Sequence, residues 1–289
     1  MKTLKGFHNI MDLEKNIQQA ARVIREADAL LITAGAGIGV DSGLPDFRGN
    51  QGFWQAYPPI AKLGISFSQM ANPEWFHREP KLAWAFYGHR LNLYRKTIPH
   101  TGFSQLLKIG QEKKGKYFVF TSNVDGQFQK AGYAADRIEE CHGSIHHFQC
   151  SRPCSNHIWD AHDISVNVDE KKFQAVEPLP LCPNCGSLSR PNVLMFGDWH
   201  WVSERSDAQT ARFHEWLRKI QQEDFRLAIV EAGAGESVPT VRHTSQQVAA
   251  RFGGMLIRIN PRDYQVPAGH IAIPLGSAEG INRIVEAMV

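Results

Sequence analysis

The chain has 289 residues, of which 43% are hydrophobic and 21% charged, which is ordinary for a globular protein with a sizeable core. Its formal net charge of +3 is too small to make nucleic acid the expected partner. No apolar run reaches the ~18 residues of a membrane span. The N-terminal stretch MKTLKGFHNIMDLEKN lacks the apolar centre of a secretory signal, so we expect a cytoplasmic protein.

Apolar periodicity predicts helices and buried strands in alternation. The predicted helices span residues 12–27, 80–97, 100–113, 203–222, 240–252 and 278–288, the first of them capped by Asp12. The predicted strands span residues 29–33, 117–121, about 137–140, 226–230, 255–259 and 271–273. Strands that alternate with helices indicate an α/β fold with a mostly parallel sheet and helices on both faces.

The first predicted strand runs into a loop that contains Gly35, Gly37, Gly39 and Gly43. Glycine lets a backbone turn sharply and approach a ligand closely, and a strand that ends in such a loop is how doubly wound folds bind a dinucleotide. The spacing differs from the usual dinucleotide fingerprint, so a tight turn without a ligand is the alternative. The residues at 45–48 add a carboxylate, an aromatic ring and a guanidinium to the loop.

Two stretches lack a clear period. Residues 50–80 combine glycines, prolines and aromatics, which predicts an irregular lid with short helices, or else a packed loop without a role in closure. Residues 150–185 hold two cysteine pairs and four prolines, which marks them as part of a small module inserted into the larger fold.

The cysteine pairs are the strongest chemical signal in the chain. Cys150 and Cys154 are separated by three residues, and Cys182 and Cys185 by two. Four thiolates at such spacing suit a tetrahedral Zn²⁺ ion, and a closed four-cysteine site is structural because no coordination position stays open. Two reduced pairs or a disulfide are the alternatives.

Polar residues follow the second and third predicted strands. Asn123 and Asp125 come directly after the strand at 117–121, and His142 comes just after the strand near 137–140. Because open α/β sheets bind ligands at the carboxyl ends of their strands, these side chains are expected to converge on one cleft. A histidine there can act as a general base near neutral pH, whereas a packing or surface role is the alternative.

Six motifs in order resemble one family. They are Gly-Ala-Gly-Ile with Pro-Asp-Phe-Arg, Thr-Ser-Asn-Val-Asp, Cys-His-Gly, the two cysteine pairs, and Arg-Pro-Asn-Val-Leu-Met-Phe-Gly-Asp. Together they resemble the sirtuins, the NAD-dependent protein deacylases, from about residue 12 to the C-terminus. The resemblance implies a Rossmann-like NAD domain (1–140 and 190–289) and a small zinc-binding module (141–189), with which the lid region 50–98 would also pack. The substrate would lie between them.

The resemblance also implies roles for individual residues. The NAD site would comprise Gly35, Ala36, Gly37, Asp46, Phe47, Arg48, Ser122, Asn123, Asp125, Gly233, Ala234, Gly235 and Asn260. His142 would be the general base, and Asn123 and Asp125 would complete the catalytic set. The substrate contacts Val193, Met195, Phe196 and Gly197 would pair with an acyl-lysine peptide as an added strand. The expected reaction consumes NAD, releases nicotinamide and forms O-acyl-ADP-ribose.

Three departures from the family pattern keep other activities open. Gly39 stands where the family has serine, Ser122 replaces a longer amide, and Gly-Ala-Gly at 233–235 replaces Gly-Thr-Ser. An NAD-dependent ADP-ribosyltransferase, an NAD hydrolase, or a non-catalytic NAD or ADP-ribose sensor on the same fold are therefore the alternatives. His142 argues against the sensor.

A further pair bears on the acyl group. Tyr87 and Arg90 lie three residues apart, on one face of the predicted helix 80–97. They resemble the Tyr-x-x-Arg pair of family members that remove succinyl, malonyl or glutaryl groups. A phenol and a guanidinium suit a carboxylate that would otherwise be buried without a partner. In the alternative, Tyr87 packs in the core and Arg90 pairs with a surface acid.

Overall fold

The fold is built from two sheets and the helices around them. The computed structural model describes residues 2–45 and 49–289. The strands are β1 (Ala29–Ala34), β2 (Tyr117–Thr121), β3 (Ile138–Glu140), β4 (Gly143–Cys150), β5 (Ile158–Asp160), β6 (Val168–Asp169), β7 (Gln174–Ala175), β8 (Ser189–Val193), β9 (Leu227–Ala232), β10 (Met255–Ile259) and β11 (Ile271–Ile273).

The helices cover both faces of the larger sheet and one side of the smaller one. They are α1 (Lys2–Glu26), α2 (Gly49–Ala56), α3 (Pro58–Lys62), α4 (Phe67–Met70), α5 (Trp75–Arg78), α6 (Pro80–Lys96), α7 (Thr101–Glu112), α8 (Gln127–Lys130), α9 (Glu204–Gln222), α10 (Thr240–Phe252) and α11 (Ser277–Glu286), with short 3-10 helices at Ala36–Ser42 and Ala135–Arg137. Within the described ranges, no helix combines the length and apolarity that a bilayer span requires.

The larger sheet has six parallel strands in the order β11-β10-β9-β1-β2-β3. Every strand predicted from the sequence is present, and the predicted Rossmann-like α/β class is confirmed. All residues of β1, β2 and β9 are buried. Parallel strands covered on both faces read as continuous apolar runs, which is why the sequence pattern identified them.

Alternate residues of the central strand enter two different cores. On one face, Leu30 and Ile32 of β1 pack with Ile24 of α1 and with apolar residues of α7 and α11. On the other face, Leu31 packs with Trp216 of α9 and with residues of α10. This alternation follows from the two-residue period of a strand. The sheet is thus the middle of three layers, with helices packed on both of its faces.

Helix α1 begins earlier than predicted. It starts at Lys2, so Asp12 lies inside the helix and the predicted cap at this residue is wrong.

The lid region contains four short helices, α2 to α5, in agreement with the predicted lid with short helices. Phe53, Tyr57 and Phe76 of these helices and their connections are buried. Their aromatic rings pack against one another and against Phe86 of α6.

The second sheet was not predicted. Strands β5, β4 and β8 form a three-stranded sheet, in which β4 pairs antiparallel with both neighbours. Its core also contains residues of α6 and of the lid helices, such as Trp84 and Phe86 beside Phe148 of β4. The predicted division at 141–189 remains a proposal. The shared core extends beyond those boundaries, to Val193 in β8 and to the helices between residues 49 and 96.

The four paired cysteines lie together at one end of β4 and β8. The sulfur atoms of Cys150, Cys154, Cys182 and Cys185 are within 4.8 Å of one another. The Sγ–Sγ distance is 3.7 Å for Cys150–Cys185 and 3.7 Å for Cys154–Cys182. Tetrahedral Zn–S bonds of about 2.3 Å place sulfur atoms about 3.8 Å apart, whereas a disulfide bond measures about 2.0 Å. The cluster is therefore positioned to bind a structural zinc ion.

We predict that Cys182→Ala abolishes zinc binding and destabilises the chain, because metal binding supplies folding free energy to a module with little apolar content. Purified parent protein should contain about one zinc per chain by elemental analysis. A loss of about 2 kcal/mol would lower Tm by about 4–8 °C for a chain of roughly this size.

The matched control is Cys141→Ala, since Cys141 is a free thiol outside the cluster. It should keep the zinc. Zinc-free parent protein whose melting is insensitive to a chelator would contradict the prediction.

Candidate functional site

Two glycine-containing loops meet at the carboxyl edge of the larger sheet. One follows β1 and the other follows β9, and these two strands are neighbours. In the strand order, β2 and β3 lie between β1 and one edge of the sheet, whereas β9 and β10 lie between β1 and the other edge. A crevice at such a switch point is where open α/β sheets bind their ligands. The N–H of Gly37 donates to the carbonyl of Gly233 at 3.0 Å, which ties the two loops together.

Gly233 is the position where this meeting requires glycine. Its φ is +65°, and a Cβ atom there would lie 2.1 Å from the nitrogen of Ile38 and 2.3 Å from the carbonyl carbon of Gly37. A side chain would therefore force the two loops apart. The close approach leaves backbone groups of both loops facing the crevice.

A cavity of about 390 Å³ opens at this crevice and extends towards the second sheet. It is lined by most of the residues predicted for the site, namely Gly35, Ala36, Tyr87, Arg90, Ser122, Asn123, Asp125, His142, Val193, Met195, Phe196, Gly233, Ala234 and Gly235. The structure thus brings the predicted NAD-binding, catalytic and peptide-binding residues into one continuous space.

Some predicted residues lie elsewhere. Asp46, Phe47 and Arg48 fall outside the described residues. Gly37, Gly197 and Asn260 are not among the residues that line the cavity. Asn260 is fully buried and its Nδ2 donates to the carbonyl of Ala234 at 2.9 Å. It therefore supports the second glycine loop from behind.

Asn123 and Asp125 are held by the loop after β2. The amide of Asn123 donates to the carbonyl of Gly35 at 3.1 Å, which links this loop to the first glycine loop. Asp125 Oδ1 accepts the N–H of Gln127 at 3.0 Å. Burial raises the pKa of Asp125 to about 6, so the carboxylate is still mostly ionised at neutral pH.

His142 lies between the two sheets, in the short connection from β3 to β4. Its carbonyl accepts the N–H of Leu194 at 3.0 Å, which joins it to the end of β8. Gly143 follows with a φ of +78°, and a Cβ atom there would lie 2.1 Å from the carbonyl oxygen of Asn192. Burial lowers the pKa of the His142 imidazole, partly opposed by a hydrogen bond to the backbone of Ser122. The neutral ring can accept a proton.

The segment after β8 forms one wall of the cavity. Strand β8 ends at Val193, and the N–H of Phe196 donates to the carbonyl of Ala71 at 2.9 Å. Below it, Arg190 donates to both carboxylate oxygens of Asp198 at 2.6 and 2.9 Å, and both side chains are buried. Because the N–H groups of Leu194 and Phe196 already have backbone partners, pairing with a peptide would use the carbonyls of this segment.

One face of α6 forms the other wall. The hydroxyl of Tyr87 is buried and has no hydrogen-bond partner among the described residues. Arg90 is only 7% exposed, and its Nε and Nη2 donate to the hydroxyl of Tyr94 at 3.0 and 2.8 Å. Arg90 thus lies at the cavity and not on the exposed surface, whereas Tyr87 belongs to the second core, as the alternative predicted for it.

Several residues that line the cavity were not predicted as site residues. Tyr94 is the most informative, because its spacing from Tyr87 and Arg90 was visible on the predicted helix. The others, Leu44, Pro45, Phe67, Ala71, Val124, Leu194, Glu236, Ser237, Val238, Val241 and Asp263, carry no local sequence signal that separates them from packing or loop residues.

The sequence profile of the Sir2 family matches residues 35–229, which span the first glycine loop, the second sheet and the parallel strands β2 and β3. The chain belongs to the Sir2 family, the sirtuins. A protein of Thermus thermophilus named "NAD-dependent protein deacylase" is 26% identical over 276 residues, covering 92% of this chain and 93% of the relative. A protein of Aquifex aeolicus with the same name is 31% identical over 238 residues, covering 81% and 84%.

A solved structure agrees with the fold of this sirtuin. An ADP-ribose complex of a Sir2 homologue superposes with a TM-score of 0.68 at 25% identity, covering 93% of this chain and 95% of that one. Sirtuins use NAD, and the glycine loops lie at the switch point, where open α/β sheets bind dinucleotides.

We predict that Gly233→Ala strongly destabilises this sirtuin and abolishes NAD binding, because the added methyl group overlaps the backbone of the first glycine loop. Overpacking costs about 1–3 kcal/mol, in addition to about 1–2 kcal/mol for the left-handed backbone. Thermal denaturation and calorimetric titration with NAD would measure both effects.

Gly253→Ala is the matched control, since its φ of +63° is nearly the same but an added Cβ atom meets nothing within 4 Å. It should carry the backbone cost alone and keep NAD binding. If the two variants behave alike, the close approach of the loops is not a constraint.

Proposed function

We propose that this sirtuin is an NAD-dependent protein lysine deacylase, which transfers an acyl group from lysine to ADP-ribose with release of nicotinamide. The main support is a single cavity that joins the glycine loops, Asn123 and Asp125, His142, and the wall formed by Val193 to Phe196. The curated relatives of similar length, which carry the name of NAD-dependent protein deacylases, point to the same activity.

The residues divide the work as follows. Backbone N–H groups near Gly35 and Gly233 would hold the pyrophosphate, and Asn123 would orient the nicotinamide ribose. NAD supplies a ribose carbon whose bond to nicotinamide is replaced by a bond to the acyl oxygen. The ionised carboxylate of Asp125 would stabilise the positive charge that develops on the ribose, and the enclosed cavity would keep out competing water. His142 would then take a proton from a ribose hydroxyl, so that this oxygen can attack the acyl carbon.

The departures from the family pattern have a partial structural account. A Cβ atom on Gly39 would lie 2.9 Å from Cδ1 of Leu44, so this glycine is matched to the packing of Leu44.

Incubation with NAD and an acyl-lysine peptide, followed by mass spectrometry, tests the function. O-acyl-ADP-ribose supports deacylation, whereas ADP-ribosylated protein or plain ADP-ribose alone would indicate a transferase or an NAD hydrolase.

The expected partners are acyl-lysine proteins. A cytoplasmic location is also part of the proposal, because all five cysteines are free thiols, as a reducing compartment would keep them.

For the acyl group, we propose a short chain that ends in a carboxylate. Tyr87 and Arg90 are buried and line the cavity, where an acyl-lysine chain would end. A buried guanidinium is a strong partner for a carboxylate, and the buried Tyr87 hydroxyl provides a second donor. An acetyl group would leave the Tyr87 hydroxyl without an acceptor. This arrangement supports succinyl or malonyl lysine as the preferred substrate.

We predict that His142→Ala lowers turnover by about 10²–10⁴-fold while NAD binding is kept, since a general base contributes about that factor. The exposed His214 provides the control, because His214→Ala should leave the rate unchanged. The parent should lose kcat/KM as the pH falls below 6.5, because burial lowers the pKa of His142 from this value and protonation removes the base. Turnover of His142→Ala within a few-fold of the parent would remove His142 from the mechanism.

We also predict that the parent deacylates succinyl-lysine peptide with a kcat/KM about 10- to 100-fold above its kcat/KM for the acetyl-lysine peptide. Arg90→Met should reverse the order of the two peptides. The range corresponds to a hydrogen-bonded charge of about 1.5–3 kcal/mol. Arg95→Met is the control on the same helix, since Arg95 donates to backbone carbonyls of Ala161 and Ile164 outside the cavity. It should leave the preference unchanged. Equal rates on both peptides would leave Tyr87 and Arg90 with structural roles only.

A further inference from the structure

Tyr94 lies on the same face of α6 as Tyr87 and Arg90. The three residues occupy positions i, i+3 and i+7 of the helix, a spacing that aligns side chains along one stripe. All three line the cavity, and they are 1%, 7% and 5% exposed in the order Tyr87, Arg90, Tyr94. We refer to them below as the donor cluster.

The hydroxyl of Tyr94 fixes the orientation of Arg90. It accepts from both Nε and Nη2 of the guanidinium, at 3.0 and 2.8 Å. That edge of the guanidinium is one of the two that can grip a carboxylate with a pair of parallel hydrogen bonds. Because Tyr94 binds this edge, it determines where the other edge, formed by Nη1 and Nη2, points.

The donor cluster contains two phenol protons without an acceptor. The Tyr87 hydroxyl has no partner among the described residues. The two bonds of the Tyr94 hydroxyl use its oxygen as the acceptor, so its own proton is still to be placed, and the described part of the chain provides no acceptor for it. Buried donors are almost always paired, since an unpaired one costs the full desolvation penalty.

The carboxylate of Asp125, which acts electrostatically on Tyr94, does not take these protons. Asp125 Oδ1 accepts from the N–H of Gln127, and no hydrogen bond joins its carboxylate to either phenol. The amide of Gln127 instead donates to the backbone carbonyl of Tyr94 at 3.1 Å, which anchors this turn of the helix. The cluster therefore presents a surplus of donors to the cavity, and a carboxylate, with about four lone-pair sites and no proton, is the group that matches it.

We infer that Tyr94 is a third specificity-determining residue for acidic acyl groups, because its hydroxyl holds the Arg90 guanidinium in place. This inference rests on the proposed deacylase function. It assigns to Tyr94 a positioning role, through Arg90.

Tyr94→Phe tests the inference, because it removes only the hydroxyl and keeps the ring that walls the cavity. The ratio of kcat/KM for succinyl-lysine to acetyl-lysine peptide should fall about 10-fold, mainly through a higher KM for the succinyl peptide. On an Arg90→Met background the same substitution should have a smaller effect, because the guanidinium that it positions is gone.

Tyr133→Phe is the matched control. Tyr133 is also a buried tyrosine, but its hydroxyl donates to the carbonyl of Phe103 at 2.7 Å and it does not line the cavity. Its removal should lower stability and leave the ratio between the two peptides unchanged. If Tyr133→Phe also changes this ratio, loss of any buried hydroxyl alters the preference, and the specific role of Tyr94 is overturned.

Equilibrium binding separates recognition from chemistry. Calorimetric titration of succinyl-lysine peptide into His142→Ala protein, with and without Tyr94→Phe, should show about a 10-fold weaker Kd for the double variant. If Tyr94→Phe instead weakens both peptides equally, Tyr94 is structural and the inference fails while the deacylase function stands. A parent that deacetylates but lacks a succinyl preference would overturn both the acidic acyl proposal and this inference. Absence of any acyl transfer would overturn the proposed function itself.

Discussion

The structure depends most directly on the close approach of the two glycine loops at the carboxyl ends of β1 and β9. A Cβ atom on Gly233 would lie 2.1 Å from a backbone nitrogen of the other loop, so no side chain can be placed between them. Asn123 and Asn260 bind carbonyls of these loops from either side. The loop after β2 and the strand end at β10 are therefore tied to the same point, and the cavity takes its shape from it.

Strands β4 and β8 connect the cavity to the cysteine cluster. At one end of the pair, Gly143 lies opposite Val193, next to His142 and the substrate wall, and at the other end Cys150 lies opposite Ser189. Eight strand residues span on the order of 20 Å, so the cysteine cluster and His142 lie at opposite ends of one sheet. Zinc would thus act on the site only by holding the far end of these strands together, which is what a closed four-thiolate site can do.

Helix α6 serves both the second core and the substrate site. Trp84 and Phe86 pack in the interior, whereas the donor cluster, on the following two turns, lines the cavity. The burial that makes the core stable also makes each unpaired donor costly, which is the physical basis of the proposed preference among acyl groups. Burial lowers the pKa of His142, which favours the neutral ring, and raises the pKa of Asp125 to about 6, which is still below neutral pH.

The sequence by itself determined the parallel sheet, the long helices, the cysteine site and most residues of the cavity. These depend on local patterns: continuous apolar strands, helical periodicity, close cysteine spacing, and polar residues directly after strands. Tertiary structure alone decided the pairing of β4 with β8 and the supporting role of Asn260. Each of these joins groups whose partners are set by packing, and in the case of Ser144 and Asn192 the paired residues lie far apart along the chain. Periodicity reports which face a residue occupies, but which atom it meets there depends on the positions of all the neighbouring elements.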